Sequence, residues 1–252
     1  MDSSLQQVQA TTPLSERQIK MLRAIVQEYC ESAVPVGSET LDKKYQIGYS
    51  PATIRNEMSR LTEKGYLAQP HTSSGRIPTP KALKFYVNSL MNEKQLSVTD
   101  EVKVKQQVWD ARGEVEKLLR ETTRVLASQT HLLALAATDQ GKSYCSGYAN
   151  ILDVPEFFDI DLTKHVLSML DQVEALMEMF NRDQSDTQLH ILIGEDFGDS
   201  AFMPVGMVYT KFAVGGVNRA LGVLGPSRLD YSYIRPTVRY VGDLLNQIGR
   251  DW

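Results

Sequence analysis

The sequence predicts an α+β protein with a small helical amino-terminal domain and a larger body built on one sheet. With 252 residues, the chain is long enough for two domains. Apolar residues recur at helical spacing up to about residue 90, whereas apolar runs alternate with amphipathic stretches beyond residue 130. The composition, 42% apolar and 23% charged, is typical of a globular chain and excludes a disordered one.

The first two predicted helices are short and separated by a proline-containing break. Ser15 can cap the first helix, and apolar residues follow at helical spacing from Ile19 to Tyr29. The segment AVPVG at 33–37 ends this helix. Ser38 is then expected to cap a second helix, which ends before the break at residues 47–50.

The third predicted helix has one apolar face and one polar face. Ser50 caps it, Pro51 occupies its first turn, and Gly65 follows its end. The apolar face consists of Ile54, Met58 and Leu61. The outward face carries Thr53, Arg55, Asn56, Ser59 and Arg60. This pattern predicts a helix that docks on its two predecessors and leaves polar side chains free.

Two short strands and a fourth helix complete the amino-terminal domain. The segments Tyr66–Gln69 and Arg76–Pro78 flank a loop rich in serine and threonine, which is typical of a hairpin. A fourth helix is expected after Thr79, with Pro80 in its first turn. Three helices followed by a hairpin predict a winged helix-turn-helix, in which the hairpin is the wing.

The outward face of the third helix suits double-stranded DNA. A major groove admits one helix, arginine pairs with guanine, and asparagine pairs with adenine. We therefore assign Thr53, Arg55, Asn56 and Ser59 to base edges, with Pro51 and Ala52 at the same end of the helix. The expected phosphate contacts are Ser38, Thr40, Ser50, Arg60 and, from the wing, His71, Thr72, Ser74 and Arg76.

The distribution of charge agrees with a polyanionic partner for the amino-terminal domain. The whole chain carries −4, but residues 13–91 hold eleven bases and seven acids, which gives +4 and leaves −8 for the rest. A different reading stays open, because winged helices also serve as protein-interaction modules and polar helix faces are often merely solvated.

The domain boundaries follow from these patterns. Residues 1–13 are predicted as a flexible tail and residues 14–92 as the winged-helix domain. Residues 93–130 are a charged, helix-prone linker with an irregular apolar seam that Gly113 weakens. This linker either forms a dimer or packs on its own domain.

The body, residues 131–252, is expected to combine buried strands with amphipathic helices. The predicted strands are His131–Ala137, Leu189–Gly194 and Leu221–Gly225. A helix over 162–181 lies between the first two strands, and a helix over 232–249 closes the chain.

No set of residues predicts an enzyme, a metal site or a cofactor. The histidines His71, His131, His165 and His190 lie far from one another, and His165 is expected to form a surface pair with Asp161. The acids Glu195, Asp196 and Asp199 are read as a solvated loop. The chain contains no phosphate-binding G-x-x-x-x-G-K and no G-x-S-x-G.

The remaining composition indicates a cytoplasmic protein. Cys30 and Cys145 fit no metal or redox spacing, so we expect reduced thiols. No apolar run reaches the length that a bilayer span requires, and the first twelve residues lack the pattern of a secretory signal. No membrane partner is expected.

Several longer motifs resemble the HrcA family of bacterial heat-inducible transcription repressors. They are PVGSETL, SPATIRNEMSRLTEKGYLAQPHTSSGRIPT, GYANILDVPEF and LGVLGPSRLDY. The resemblance covers about Leu14–Leu90 and Ser146–Ile248. It implies a homodimer that binds an inverted-repeat operator upstream of chaperone operons, with activity supported by the chaperonin GroEL and lost under heat stress. It also implies a GAF-like body with an inserted dimerisation domain.

The chain departs from the family between two of these segments. A long block usually separates the strand that matches HLLALA from GYANILDVPEF, but here only ATDQGKSYCS lies between them. The resemblance therefore implies a reduced GAF-like regulatory domain at 131–252. Two alternatives stay open: a winged-helix regulator whose body senses a small ligand, and a paralogue that binds proteins instead of DNA.

Overall fold

The computed structural model describes residues 14–183, 187–214 and 216–250. The predicted tail at 1–13 lies outside the described residues. The chain divides into two compact units, Met1–Asn92 and Glu93–Trp252.

The described residues of the amino-terminal unit, 14–92, form four helices and a two-stranded antiparallel hairpin. Its elements are α1 (Glu16–Ser32), α2 (Ser38–Tyr45), α3 (Pro51–Glu63), β1 (Leu67–Ala68), β2 (Ile77–Pro78) and α4 (Pro80–Phe85), which continues into a π-helical turn, Tyr86–Leu90. The predicted order of helices and strands is confirmed, although each strand has only two residues.

Local capping chemistry explains where these helices begin. Ser15 accepts a hydrogen bond from the Gln18 amide and its own amide donates to the Gln18 side chain, so α1 starts with a capping box. Ser50 and Thr79 cap α3 and α4 in the predicted way. The expectation that Ser38 caps α2 is wrong: Gly37 is the N-cap, and the Ser38 hydroxyl faces Arg55 instead.

The apolar faces predicted for the amino-terminal unit form its core. Ile19, Leu22, Ile25 and Val26 of α1 are buried against the rest of the unit. Ile54, Met58 and Leu61 of α3 are also buried, which confirms the docking face predicted for this helix. Burying these side chains is the main force that fixes the orientation of α3.

A bridge between the wing and the loop after α1 was not predicted. The backbones of Val36 and Arg76 exchange hydrogen bonds of 2.8 and 2.9 Å. The approach is so close that a Cβ at Gly75 would lie 2.4 Å from the Val36 carbonyl oxygen, so only glycine fits there. The loop at 33–37 therefore ends a helix and also fixes the base of the wing.

The described part of the second unit is an α+β body with five strands, all paired antiparallel. Its helices are α5 (Val98–Asp110), α6 (Val115–Thr130), α7 (Tyr148–Leu152), α8 (Ile160–Leu170), α9 (Val173–Phe180) and α10 (Tyr231–Gly249). Its strands are β3 (Leu133–Thr138), β4 (Ser143–Ser146), β5 (Leu189–Ile193), β6 (Val205–Val214) and β7 (Val217–Pro226). The sheet order is β4-β3-β7-β6-β5.

The predicted strands and the closing helix are present, but two strands were missed and one helix was wrong. The sequence reading lacked β4 and β6, and β7 is twice as long as the predicted segment. The single helix expected over 162–181 is two helices, because Gln172 has an extended backbone between α8 and α9.

The predicted linker packs within the second unit. Helices α5 and α6 contact each other, and α6 also lies on β3, β4 and β7. The buried residues Leu118, Leu119 and Leu126 form the apolar side of α6. Helix α10 contacts β6, while α7, α8 and α9 share a core cluster with alternate side chains of β3 and β6.

Candidate nucleic-acid interface

The outward face of α3 presents the polar side chains that the sequence assigns to DNA. Arg55, Asn56, Ser59 and Arg60 are exposed, as is Ala52, which precedes them by one turn. Pro51 and Thr53 are half-buried at the start of the helix. The burial of Ile54, Met58 and Leu61 forces this arrangement, because positions between the apolar residues must point away from the core.

A groove of about 490 Å³ runs between α3, the start of α2 and the turn of the wing. Six residues with predicted DNA contacts line it: Ser38, Arg55, Ser59, Thr72, Ser74 and Arg76. The sequence reading missed four other side chains of the groove: Glu39, Met58, Gln69 and Ser73. The structure thus brings together residues that are up to 38 positions apart in the chain.

Two arginines of this groove are held in the same way. Arg55 Nε donates to Ser38 Oγ at 3.2 Å, and Arg76 Nε donates to Thr62 Oγ1 at 3.2 Å. Within residues 14–92, neither guanidinium forms an ion pair with a carboxylate. Both arginines therefore line an open groove without a carboxylate in ion-pair contact.

The turn of the wing has a shape fixed by its own polar groups. The Ser74 hydroxyl donates to the His71 carbonyl at 2.6 Å and accepts from the His71 amide at 3.0 Å. The Gln69 side-chain amide donates to the carbonyls of Thr72 and Ser74. His71 and Thr72 remain exposed at the tip, where a contact with a DNA backbone was predicted.

Lys44, a cation at the end of α2, is paired with two neighbouring acids. Lys44 Nζ lies 2.6 Å from Glu28 and 3.0 Å from Glu31. This lysine lowers the pKa of Glu28 by hydrogen bonding, and the same contacts raise the pKa of Lys44. Burial, followed by the hydrogen bond to Glu28, raises the pKa of Tyr45 to about 12. This end of α2 is therefore less suited to phosphate than the groove is.

Glu57 is a buried acid on α3 that the sequence reading missed. Its carboxylate accepts from Gln18 Nε2 at 3.0 Å and from Arg60 at 3.0 Å, and Arg17 lies 3.5 Å away. The signal was present, because position 57 falls on the apolar stripe one turn after Ile54. This network connects α3 to α1. The Glu57 carboxylate also compensates part of the positive charge of Arg60.

The remaining predicted contact residues differ in how much surface they offer. Ser38 is only 7% exposed, so little of it can reach a phosphate while Arg55 stays on its hydroxyl. The Ser50 hydroxyl caps α3 and also contacts the Thr53 hydroxyl at 3.0 Å. Thr40 is half-buried on α2. Their contacts with DNA stay predictions.

Potential metal ligands outside this interface are dispersed. Within the described residues, no three side chains of histidine, cysteine, aspartate or glutamate come together. His165 lies 3.7 Å from Asp199, so the pair expected with Asp161 is wrong. Asp196 and Asp199 accept hydrogen bonds from backbone amides of their own loop.

Across the described residues, we find no helix with the length and apolarity of a membrane span.

Comparison with protein families identifies the chain. The family described as HrcA protein C terminal domain matches residues 79–234, which is more than half of the sequence. The chain belongs to the HrcA family. The resemblance of the motifs quoted above is thereby confirmed.

Individual relatives agree with this membership. The heat-inducible transcription repressor HrcA of Clostridium botulinum is 44% identical, and the match covers 93% of this chain and 98% of the relative. The protein of the same name from Moorella thermoacetica is 29% identical, with coverage of 93% and 97%.

The same alignment shows that this HrcA chain is shortened. It runs over 340 positions, but the chain has 252 residues, so at least 88 positions of the Clostridium relative face no residue here. At the predicted place of the missing block, β3 and β4 form a hairpin closed by a hydrogen bond from the Thr138 amide to the Lys142 carbonyl at 2.9 Å.

A solved structure described only as a hypothetical protein shares the fold. Its TM-score with this chain is 0.75 at 18% sequence identity, and the match covers 94% of this chain and 99% of that one.

Proposed function

We propose that this chain is a sequence-specific DNA-binding repressor of heat-shock or chaperone genes. The observation that carries the proposal is the two-sided character of α3: Ile54, Met58 and Leu61 are buried, while Arg55 and Asn56 are exposed. The groove beside this helix is lined by two arginines that form no ion pair within residues 14–92. Membership of a family whose relatives are named heat-inducible transcription repressors supports the same function. The proposed role is binding, without a catalysed reaction.

The amino-terminal unit is proposed to act as a winged helix-turn-helix. In this proposal α3 enters the major groove, α2 lies across the backbone, and the β1–β2 turn is the wing. Arg55 and Asn56 read bases, because their side chains offer donors and acceptors that match guanine and adenine. Arg76 at the base of the wing contacts phosphate, which supplies the negative partner that this side chain lacks within its unit.

The body and its partners complete the proposal at a coarser level. We propose that the second unit is a reduced GAF-like regulatory domain and that the repressor binds an inverted repeat as a homodimer. Two-fold repeats in DNA match the symmetry of such a dimer. Heat stress and the chaperonin GroEL are proposed to modulate its activity, as the family resemblance implies.

An electrophoretic mobility shift assay tests the proposal directly. The full chain is titrated into the promoter region of a chaperone operon from its own genome and into a scrambled duplex of equal length. We expect binding to the promoter at least about 10³-fold tighter than to the scrambled duplex at moderate salt. Equal affinities for the two duplexes would exclude sequence-specific repression and favour the protein-interaction alternative.

Two further arms of the assay separate the finer parts of the proposal. Destroying one half of the inverted repeat should weaken binding strongly if two subunits bind together. Heating the protein with and without GroEL should show faster loss of operator binding in its absence. A chain that binds the intact repeat and one half-site equally well would argue against the dimer.

A second candidate function is suggested by a cleft in the body. About 460 Å³ of open space is lined by Lys211, Arg219, Asn181 and Asn218 together with apolar side chains such as Phe212. Arg219 is 6% exposed and donates to the Val217 carbonyl at 2.6 Å. A regulator that senses a small ligand would show a raised melting temperature with that ligand, and operator release that depends on it rather than on heat.

A further inference from the structure

The two arginines that line the groove of the amino-terminal unit have an unusual feature in common. Each donates its Nε hydrogen to a hydroxyl on a neighbouring element and keeps its two terminal nitrogens unbonded within residues 14–92. Arg55 of α3 uses Ser38 of α2, and Arg76 of the wing uses Thr62 of α3. Both distances are 3.2 Å.

A guanidinium is a planar fork of five donors, and its geometry decides what it can recognise. When Nε is occupied, the pair of donors left for a ligand is the terminal one, Nη1 and Nη2. These two nitrogens match the O6 and N7 atoms of guanine, or two oxygens of one phosphate. A hydroxyl bound to Nε therefore leaves the two terminal nitrogens for the ligand, which must approach the end of the side chain. The same bond already restricts the side chain, so less conformational entropy is lost when the ligand binds.

Ser38 has no other evident function at its position. It is 7% exposed, and Gly37, not Ser38, is the N-cap of α2. Its hydroxyl is therefore not needed to start the helix. A buried hydroxyl that accepts a hydrogen bond from the side chain of a proposed base-reading arginine is suited to orienting that arginine.

Thr62 occupies the equivalent place for the wing. Its hydroxyl donates to the Met58 carbonyl at 2.9 Å and accepts from Arg76 Nε. The hydroxyl therefore takes part in two hydrogen bonds, once as donor and once as acceptor. The Arg76 backbone is fixed separately by the bridge to Val36. The arginine is thus held at its main chain and at Nε, and its terminal nitrogens remain available.

We propose that Ser38 and Thr62 are positioning residues that orient Arg55 and Arg76 for end-on contacts with a guanine base and a backbone phosphate. The inference rests on the proposed function, since it concerns how the same interface reads DNA. It replaces the direct phosphate contact that the sequence suggested for Ser38, and it gives Thr62 a function that the sequence reading did not foresee.

The first experiment measures base preferences of the full chain by selection from a random duplex pool. Arg55→Ala identifies the guanine that Arg55 reads, as the position whose preference disappears. Ser38→Ala should lower the preference for that same guanine by about 3- to 10-fold and leave the other positions unchanged. Replacing this guanine by 7-deazaguanine, which lacks the N7 acceptor, should remove the difference between Ser38→Ala and the unmodified chain.

A double-mutant cycle separates positioning from a general structural role. In the Arg55→Ala background, Ser38→Ala should have no further effect on the preference for guanine. Ser32→Ala, which removes a hydroxyl that bonds the Glu28 carbonyl at the end of α1, serves as the matched control with unchanged preferences. Melting temperatures of all variants are recorded, and Ser38→Thr, which retains the hydroxyl, should restore discrimination.

The second experiment tests the wing. Thr62→Val keeps the shape of the side chain but cannot accept from Arg76, so affinity should fall about 2- to 5-fold on specific and random duplexes alike. Thr62→Ser should bind like the unmodified chain. In the Arg76→Ala background, Thr62→Val should have no additional effect.

The outcomes distinguish this inference from the proposed function. If Ser38→Ala weakens all duplexes equally and lowers the salt dependence, Ser38 contacts phosphate and the positioning role is overturned. If Arg55→Ala changes no base preference although the promoter is still bound, the inference fails and the repressor function stands. If the unmodified chain binds no duplex selectively, both are overturned.

Discussion

The two arginines of the groove in the amino-terminal unit differ in their partners from three cations of the second unit. In the second unit, Arg239 forms a two-point pair with Glu93, Arg228 lies 2.6 Å from Glu156, and Lys94 lies 2.7 Å from Asp230. In the groove of the amino-terminal unit, Arg55 and Arg76 instead contact hydroxyls, which carry no charge.

This difference supports the proposal that the groove, rather than these paired cations, receives a polyanion. A cation paired with a carboxylate must lose that ion pair before it contacts phosphate, so the net gain in binding free energy is small. A cation on a hydroxyl gains a charged partner when phosphate arrives, and counterions are released from the DNA. The pairing pattern thus agrees with the separation of net charge along the sequence, +4 against −8.

The largest expected effect comes from removing the buried support of α3. Leu61 is fully buried, so Leu61→Ala should destabilise the amino-terminal unit by about 2–5 kcal/mol through lost burial and a cavity. Hydrogen exchange of the full chain measures this, with residues 93–250 as the internal reference. Val34→Ala, at a position that is 55% exposed, is the control and should cost less than about 0.5 kcal/mol.

The next effect concerns Asn56, a single residue that is proposed to read a base. Asn56 is exposed on α3 and is expected to bond adenine, so Asn56→Ala should cost about 1–3 kcal/mol on the operator and relax specificity at one position. Competition binding with single-base variants of the operator measures the loss. An equal loss on operator and random DNA would contradict a base-reading role for Asn56.

A smaller and more uniform effect is expected for the wing. Arg76→Ala should weaken binding to all sequences alike and should reduce the slope of log affinity against log salt by about 0.9. Titrations at several salt concentrations measure this slope. Lys142→Ala is the matched control, because Lys142 pairs with Glu116 in the second unit and should leave the slope unchanged.

Much of the amino-terminal unit was predictable because its signals are local. Ser15, Ser50 and Thr79 cap helices within three residues of their own position, and a helix buries a stripe that can be read from spacing alone. The direction of the exposed face of α3 followed from the same spacing. Here the physics that fixes the structure acts over one or two turns of the chain.

The features that escaped prediction depend on residues that are distant in sequence. The bridge between Val36 and Arg76 joins a helix terminator to the wing across 40 positions. Ser38 looked like a cap because it follows a glycine, but Arg55 determines its role from 17 positions away. Rules based on the spacing of residues along the sequence cannot identify partners that lie so far apart.

The sheet shows the same limit in the second unit. β4 has half-buried residues only, and it becomes a strand because β3 offers it an edge. β6 pairs with β5 on one side and β7 on the other, so its ten residues are nearly all buried without simple alternation. The hairpin of β3 and β4 lies at the predicted place of the block that this chain lacks.

The smallest expected effect concerns the paired acids of the second unit and their dependence on pH. Hydrogen bonds from Arg239, together with the charges of Arg239 and Arg235, lower the pKa of Glu93 from its ordinary value of 4.5. Because the pKa is lower in the folded state, the stabilisation is present above about pH 4.5 and is lost as the pH falls through the folded value.

Glu93→Gln should therefore lower the free energy of unfolding of the second unit at neutral pH by about 1 kcal/mol or less. It should also make this free energy fall less steeply as the pH decreases through the acidic range. Urea unfolding followed by Trp109 fluorescence at several pH values measures the change, and Glu174→Gln, at an exposed acid without an ion pair among the described residues, is the control. If stability falls with decreasing pH in Glu93→Gln as it does in the unmodified chain, this pair contributes nothing to stability. The pairing of Glu93 with Arg239 would then reflect the local density of charge and not a stabilising interaction.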